Sequence, residues 1–370
     1  MSTSSDSIDV AAIERELTSL WKHASEDESS GVIRASMLNL ITYAPGDTDV
    51  AELDEEIIEI TAAHPCRAIV LLMSDSSEPA ISAEVTSRCT LPTAMTRQVC
   101  CEQVTIKASG DHIDETPSLI APLLISDLPV YLWWRATARA KDRGLFRRLV
   151  DISDRVIIDS ADFNDPHTDL ANMAAALRES PQWTAFSDLN WARLTTWRAL
   201  LAGFYDVAEY RGVLDRLGRV VIEHSPPATN PEAIPARALL LGGWLASRLG
   251  WEFERVAGEG RPYSFVFSCG NRMVRIDFIK TDREIEPGHL ARVRLESSAD
   301  LSAIFSVQRS ADGARIETDV VYGKRRNVQR VLSYEGMSES ALIGREIEIL
   351  GHDRVYEQAV LSVGAFIGGK

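Results

Sequence analysis

A dense group of basic side chains stands out in this acidic chain. Six cations fall within fourteen residues, directly after the run Tyr131-Leu132-Trp133-Trp134. Guanidinium and ammonium groups at this density can bind a phosphate or an acidic protein surface. A solvated basic loop is the alternative, and the pattern leaves both open. The candidate phosphate or anion contacts are Arg139, Lys141, Arg143, Arg147 and Arg148.

Tryptophan and arginine also occur together at two places in the sequence. One is the end of the run above, and the other is a predicted helix that begins at Asp188. Hot spots of protein interfaces are enriched in these two residue types. A stripe of large aromatics mixed with a cation is awkward as pure core, although core packing stays an alternative. The predicted partner-binding residues are Trp133, Trp134, Arg135, Trp191, Arg193 and Arg198.

Cys101 is the candidate redox thiol. On a predicted strand it shares a face with Gln103, Thr105 and Lys107, and a nearby cation favours the thiolate. Cys100 points to the opposite face, so the adjacent cysteines are poorly placed to bond each other. The alternative is that both are small hydrophobic residues within a sheet.

The sequence shows no recognisable catalytic motif. It contains no G-x-x-x-x-G-K-[ST] phosphate loop, no G-x-G-x-x-G after a strand, no H-E-x-x-H and no G-x-S-x-G. Seven histidines are spread without the spacing of a metal site. We therefore expect no catalytic residue, no bound metal and no cofactor.

Composition limits the class of partner. The 370 residues include 39 Lys and Arg against 54 Asp and Glu, a formal charge of −15. Nucleic-acid binding requires a basic surface that displaces counterions, so this class is not expected. The longest apolar run, from Ala238 to Ala246, is far shorter than the ~20 residues that cross a bilayer. With its polar, acidic N-terminus, the chain is expected to be cytoplasmic and away from membranes.

A proline-rich stretch divides the sequence pattern. Four prolines between Ser225 and Pro235 cannot continue a helix or a central strand, which predicts an interdomain linker at residues 225–235. Before it, alternating helix and strand patterns predict an α/β domain at residues 1–224, with three layers and a mixed sheet. An acidic N-terminal helix opens this domain, and a long helix from Asp188 to about Ile222 closes it.

The pattern after the stretch predicts an α+β domain at residues 236–370. A helix over Ala236–Leu249 precedes strands that form an antiparallel meander, covered on one face by helices near 338–350 and 353–367. A two-residue turn at Gly270-Asn271 pairs Phe267 with Val274 and matches the apolar faces. The other, charged face of the sheet is either solvated or a flat platform for another protein.

Five segments together resemble the OpcA family, the glucose-6-phosphate dehydrogenase assembly proteins. They are Arg34-Ala35-Ser36-Met37-Leu38-Asn39-Leu40, His64-Pro65-Cys66-Arg67, Tyr131-Leu132-Trp133-Trp134-Arg135, Asp151-Ile152-Ser153-Asp154-Arg155 and Asp188-Leu189-Asn190-Trp191-Ala192-Arg193-Leu194. The resemblance covers nearly the whole chain. It implies a non-catalytic accessory protein that binds glucose-6-phosphate dehydrogenase and promotes its active oligomer or conformation. Such a protein supports the oxidative pentose phosphate pathway and NADPH supply.

Two further expectations concern redox control and an alternative function. In photosynthetic members of the family, activation is linked to thioredoxin, yet this sequence has no cysteine after Cys269, which excludes a C-terminal thiol switch. The alternative function, from the residues themselves, is a sugar-phosphate-binding protein or enzyme that uses the Arg135–Arg148 basic cluster.

Overall fold

The computed structural model describes residues 3–4, 8–26, 33–90, 99–136, 143–257, 263–297, 302–334 and 336–368. The chain forms two compact units, and each contains one large sheet. The first unit comprises Met1–Asp159, Ser180–Ser187 and Ser338–His352. The second comprises Ser160–Glu179, Asp188–Met337 and Asp353–Lys370.

The strands divide between the two sheets in chain order. The described strands of the first sheet are β1 (Thr3–Ser4), β2 (Ile33–Arg34), β3 (Leu38–Pro45), β4 (Cys66–Ser74), β5 (Ala80–Thr90), β6 (Val99–Ser109), β7 (Val130–Trp134), β8 (Arg155–Ile158) and β9 (Ala185–Asp188). Those of the second sheet are β10 (Leu217–His224), β11 (Glu252–Ala257), β12 (Tyr263–Cys269), β13 (Arg272–Lys280), β14 (Leu290–Ser297), β15 (Ala303–Arg309), β16 (Arg315–Tyr322) and β17 (Arg325–Ser333).

Helices connect and cover these strands. The described α-helices are α1 (Val10–Glu26), α2 (Val50–Ala63), α3 (Thr116–Ile120), α4 (Arg143–Val150), α5 (Pro166–Glu179), α6 (Leu189–Arg193), α7 (Thr195–Gly203), α8 (Ala208–Leu214), α9 (Ala236–Leu249), α10 (Glu339–Glu348) and α11 (Arg354–Gly368). None of these helices combines the length and the apolar character needed to cross a membrane.

The first sheet is mixed, as the sequence predicts. Its strand order is β1-β5-β6-β4-β3-β7-β8-β9, with β2 beside β6; β3 and β4 pair in parallel, whereas β5 and β6 are antiparallel. Neighbouring side chains on β6 point to opposite faces. Glu102 receives a hydrogen bond from Arg67 Nε (2.6 Å), and that guanidinium also reaches Glu14 on α1. Cys101 instead faces Thr61 on α2. Helices thus lie on both faces, which gives three layers.

The second sheet contains the predicted hairpin in the predicted register. Phe267 pairs with Val274 and Phe265 with Ile276, and Gly270 at the turn has a φ of 59°. The helix over Ala236–Leu249 is also confirmed, because Gly250 ends it in the left-handed conformation. Gly243 allows α9 and α11 to approach closely, since a Cβ there would clash with the carbonyl oxygen of Ala359. The strand pairs are antiparallel except for β10 and β13, which are parallel.

The predicted division at residues 225–235 differs from the observed units. β10 lies between β13 and β14, so the strand before the proline-rich segment belongs to the second unit. The segment therefore runs from β10 to α9 within one unit. α10 belongs to the first unit, where Ser340 hydrogen-bonds Glu59 on α2, whereas the sequence pattern grouped it with the second sheet. Periodicity identifies an element, but it does not say which sheet a distant segment joins.

The long helix predicted from Asp188 to about Ile222 is also wrong. The structure divides this stretch into α6, α7 and α8, followed by strand β10. Val220, Val221 and Ile222 form a continuous buried run in the centre of the second sheet. A short apolar run of this kind fits a buried strand and a buried helix equally well by periodicity.

Candidate partner-binding surfaces

The first pair of predicted anchors lies inside the first unit. Trp133 and Trp134 are 1% and 2% exposed, because β7 pairs on both sides with β3 and β8. Trp134 stacks on Tyr43 with ring centroids 3.7 Å apart. Arg135 lies over the Trp133 ring and donates to Glu56 Oε2 at 2.6 Å. The expectation that this segment offers surface anchors is therefore corrected, since its rings form core.

The tryptophan of the second group of predicted anchors is likewise internal to its unit. Trp191 is 3% exposed, and its Nε1 donates to Asp353 Oδ2 at 2.9 Å. The Arg198 guanidinium covers the same ring, 3.5 Å from the centroid, and Arg193 is half-buried. Asp188 caps α6 by accepting a hydrogen bond from the main-chain nitrogen of Asn190. Trp191 is thus enclosed, and it is not a free docking group as the sequence suggested.

The basic cluster lies mostly outside the described side chains. Three of the five candidate anion contacts have side chains that are not described: Arg139, Lys141 and Arg143. Arg148 on α4 is ion-paired with Asp114, and Arg147 is exposed. Within the described ranges, His, Cys, Asp and Glu side chains form no group of three suited to a metal ion.

Cys101 is buried, so the expectation of an exposed thiol is wrong. It is 3% exposed beneath α2, with Sγ 3.9 Å from the carbonyl oxygen of Thr61. Burial raises the pKa of the Cys101 thiol, which disfavours the reactive thiolate. Cys100, on the other face, is in a disulfide with Cys89 on the neighbouring strand β5.

The second sheet carries a charged face opposite its helices. Phe265 packs against Phe366 of α11, and Phe278 lies against Gly242 of α9, so these helices cover the apolar face. The opposite face, here the charged sheet face, presents side chains from β10, β13 and β14: Arg219, Glu223, Arg275, Asp277, Arg292, Arg294 and Glu296.

Ion pairs across strands hold the charged sheet face in a fixed arrangement. Asp277 is fully buried and accepts from Arg219 at 2.6 Å and Arg275 at 2.9 Å. Arg292 pairs with Glu223 at 2.6 Å. Burial alone would raise the pKa of Asp277, but hydrogen bonds from Ser264 and Arg219 and the nearby arginine charges hold it below its ordinary value. The face is rigid and nearly balanced in charge.

The first unit exposes a second kind of surface, which the sequence analysis missed. Trp183 is 67% exposed and Leu350 is 91% exposed, with Ile349 beside it. The two loops are joined directly, because a ring nitrogen of His352 lies 2.9 Å from the carbonyl oxygen of Gln182. We call Trp183, Ile349 and Leu350 the Trp183–Leu350 surface. The available signal was Trp183 in a short polar loop after Pro181, where neither helix nor strand periodicity places it in a core.

A buried arginine forms hydrogen bonds with the segments that carry this surface. Arg155 on β8 is 2% exposed; its Nη1 donates to Ser187 Oγ at 2.6 Å, and its Nη2 donates to the carbonyl oxygens of Ile349 (2.7 Å) and Gly351 (2.5 Å). Thr184 adds a hydrogen bond to the carbonyl oxygen of Ser153. The loops that expose Trp183 and Leu350 are therefore pre-organised, which lowers the entropic penalty of binding.

Comparison with known proteins identifies the family. Residues 58–175 match the family profile for the N-terminal domain of a "glucose-6-phosphate dehydrogenase subunit", and residues 184–360 match the profile for the C-terminal domain of the same protein. The chain belongs to the OpcA family. The resemblance found in the sequence is thereby confirmed.

Two relatives are similar to this OpcA-family chain over most of its length. The OxPP cycle protein OpcA of Nostoc punctiforme is 30% identical over 320 residues, covering 82% of this chain and 65% of the relative. That of Synechocystis is 27% identical over 328 residues, with coverages of 83% and 65%. The chain thus spans just under two thirds of the length of these relatives. Among solved structures, aldose-aldose oxidoreductase from Caulobacter crescentus matches with a TM-score of 0.44 and 11% identity, over 88% of this chain and 94% of that one.

Proposed function

We propose that this protein is a non-catalytic accessory protein that binds glucose-6-phosphate dehydrogenase and favours the enzyme's active oligomer or conformation. The observation that carries the proposal is the match of most of the chain to two domains described as parts of a subunit of that dehydrogenase. In this role the protein supports the oxidative pentose phosphate pathway without reacting with a substrate itself.

The polar side chains in the segments that resemble the OpcA family have a structural role. Asn39 donates to the carbonyl oxygen of Ile125 and accepts from the main-chain nitrogen of the same residue. Arg67 pairs with Glu102, and Asn190 accepts from Arg237 Nε at 2.6 Å. Each of these groups is buried and engaged within its own unit. The segments that resemble the family therefore stabilise the fold, and the partner is met by other residues.

The Trp183–Leu350 surface is the contact we assign to the dehydrogenase. Tryptophan is strongly enriched among interface hot spots, and the exposed Trp183 and Leu350, on two loops joined by a hydrogen bond, supply the apolar groups that such a contact needs. Most side chains of the charged sheet face already form ion pairs with one another, so we expect them to contribute less to binding than the Trp183–Leu350 surface does. The two surfaces lie in different units and can be tested separately.

Activation follows from differential binding. A protein that binds the active state of the enzyme more tightly than the inactive state shifts the population toward the active state, by as much as the two affinities differ. A tenfold difference corresponds to about 1.4 kcal/mol, which one well-packed tryptophan can supply.

The experiment measures initial rates of the dehydrogenase from the same organism against increasing concentrations of this protein, together with the enzyme's sedimentation. We expect saturable activation and a shift toward a larger assembly. Equal rates and unchanged sedimentation at every concentration would contradict the proposal. A control with this protein alone and glucose 6-phosphate plus NADP should show no turnover.

A charge reversal on the charged sheet face tests which of the two candidate surfaces contacts the dehydrogenase. Arg292→Glu breaks the pair with Glu223 on the charged sheet face and leaves the Trp183–Leu350 surface unchanged. We expect activation by this variant to match the wild type. If Arg292→Glu abolishes activation while changes at Trp183 have no effect, the dehydrogenase contact lies on the charged sheet face.

A further inference from the structure

Arginine side chains are rarely buried, yet the described part of this chain buries four of them: Arg67, Arg155, Arg237 and Arg309. A buried charge is strongly disfavoured unless hydrogen bonds or an opposite charge compensate it. Arg67, Arg155 and Arg237 each donate hydrogen bonds to side-chain or main-chain oxygens of the protein. Arg309 is the exception among the four.

The guanidinium of Arg309, at the end of β15, has no acceptor among the described residues. The residue is 7% exposed, and its Nε is fully enclosed without a hydrogen-bond partner. Nη1 and Nη2 are not enclosed in this way, and they too make no hydrogen bond or ion pair with the described residues. The positive charge is therefore buried, while its two outer nitrogens stay open to a ligand.

An aromatic ring and a surface turn hold this guanidinium in place. Arg309 Cζ lies over the Tyr334 ring, 4.5 Å from the centroid. A Cβ at Gly313, in the turn between β15 and β16, would lie 4.0 Å from Arg309 Nη1. The main-chain nitrogen of Tyr334 donates to the carbonyl oxygen of Ala314, which ties the ring to the same turn. The ring attracts the cation through its face but carries no negative charge, so the guanidinium still lacks an anion.

Further arginines make this end of the second sheet positive. His289, directly before β14, and Arg309 lie at the same end of two paired strands. Burial, followed by the charges of Arg237, Arg309 and Arg193, lowers the pKa of His289 to about 3. The arginine charges have this effect although Glu286 Oε2 lies 2.7 Å from His289 Nδ1, because that carboxylate side chain is 73% exposed. A positive potential of this kind favours a doubly charged anion over a singly charged one.

We propose that this end of the second sheet binds the phosphate group of a small molecule, with two phosphate oxygens accepting hydrogen bonds from Nη1 and Nη2 of Arg309. A guanidinium presents two parallel N–H groups that match two oxygens of a phosphate. Tyr334 fixes the plane of the guanidinium, and the neighbouring arginines attract the dianion. This site goes beyond the assembly role and does not depend on it, because binding is measured on the full chain alone.

Isothermal titration calorimetry on the full chain tests the site with inorganic phosphate as the probe. Sodium acetate supplies a carboxylate with a single charge, and sodium chloride keeps the ionic strength equal in all titrations. At pH 7.5 we expect phosphate to bind at one site with a dissociation constant below about 10 mM, and acetate to bind at least tenfold more weakly. Weaker binding of phosphate than this, or equal binding of acetate, would overturn the proposal.

Variants at Arg309 separate this site from general effects of salt on the protein. Arg309→Met removes the buried charge and keeps an unbranched side chain against Tyr334, so we expect phosphate to bind at least tenfold more weakly. Arg309→Lys keeps the charge without the paired N–H groups, so we expect at least a fivefold loss. Arg255→Met, at an exposed position of β11 in the same unit, is the matched control and should bind phosphate as the wild type does.

Unchanged phosphate affinity in Arg309→Met would overturn the proposal. If that variant does not fold, Arg309→Lys decides the outcome, and unchanged affinity in the lysine variant would overturn the proposal in the same way. An equal loss of affinity in Arg255→Met would also do so, because it would show that phosphate responds to net charge and not to the guanidinium of Arg309.

Discussion

Arg155 donates a hydrogen bond from its buried guanidinium to the main-chain carbonyl oxygen of Gly351, 2.5 Å away. The bond ties a strand of the first sheet to the loop that exposes Leu350. The same guanidinium reaches Ser187, on the strand that follows the Trp183 loop. A single buried side chain therefore fixes both halves of the Trp183–Leu350 surface.

Replacing Arg155 should weaken both the fold and the contact. Arg155→Lys keeps the charge but cannot reproduce three hydrogen bonds in different directions, so we expect a loss of about 2 kcal/mol in the free energy of unfolding. Activation of the dehydrogenase should require a higher concentration of the variant at temperatures where it remains folded. Urea denaturation and the activation titration measure the two effects. Arg147→Lys, on an exposed helix position, is the control and should be neutral in both.

There is a physical reason why some features were predicted correctly from the sequence and others were not. The hairpin around Gly270 was predictable because its register follows from local alternation and a two-residue turn. Trp133 and Trp191 were misjudged because a tryptophan next to an arginine has the same sequence pattern in an interface and in a core cation–π pair. Arg198 over Trp191 is such a pair. Only tertiary packing distinguishes the two.

The Trp183–Leu350 surface depends on contacts between residues that are far apart in the sequence. Trp183 and Leu350 are far apart in the sequence, and the hydrogen bonds of Arg155 and His352 that join their loops connect residues with no shared periodicity. The same holds for β10, whose place between β13 and β14 separates strands that follow each other in the sequence. Local patterns do not contain this information.

Asp277 should give the charged sheet face a stability that depends on pH. Because its pKa is lowered in the folded state, its stabilising effect is present at neutral pH and is lost as the pH falls from about 4 through the folded value. Asp277→Asn should therefore be less stable than the wild type at pH 7, by about 2 kcal/mol after screening of the half-exposed arginines. Urea denaturation at pH 7 and pH 3 should show the difference shrinking. A constant difference, or the same effect in the exposed control Glu254→Gln, would contradict this.

His224 should make the protein less stable in mild acid. Burial lowers its folded pKa to about 4, below the unfolded value of about 6.5, so the unfolded chain binds the proton first as the pH falls. Between these two values the free energy of unfolding should fall by up to ~1.4 kcal/mol per pH unit, and above pH 7 the group should have no effect. Denaturation curves of wild type and His224→Gln at pH 7, 6 and 5 test this. Identical slopes would show that the histidine does not titrate as described.

Cys101 should resist alkylation in the native protein. Burial raises the pKa of both Cys101 and Cys66, whereas Cys269 is partly exposed. We expect iodoacetamide at pH 8 to modify Cys269 first, and the other two only after denaturant is added. Peptide mass spectrometry identifies the modified residue. Rapid native labelling of Cys101 would restore it as a redox candidate, and Cys269→Ser serves as the control for general reactivity.

The most direct test of the account is the concentration of this protein needed for half-maximal activation of the dehydrogenase, compared among the wild type, Trp183→Ala and Met37→Ser. Met37 is 64% exposed in the same unit and so matches Trp183, at 67%, in exposure. If Trp183 anchors the contact, its truncation should raise that concentration roughly thirtyfold, as expected for a hot spot of about 2 kcal/mol, while Met37→Ser leaves it unchanged. Equal activation by all three proteins would contradict the assignment of the dehydrogenase to the Trp183–Leu350 surface.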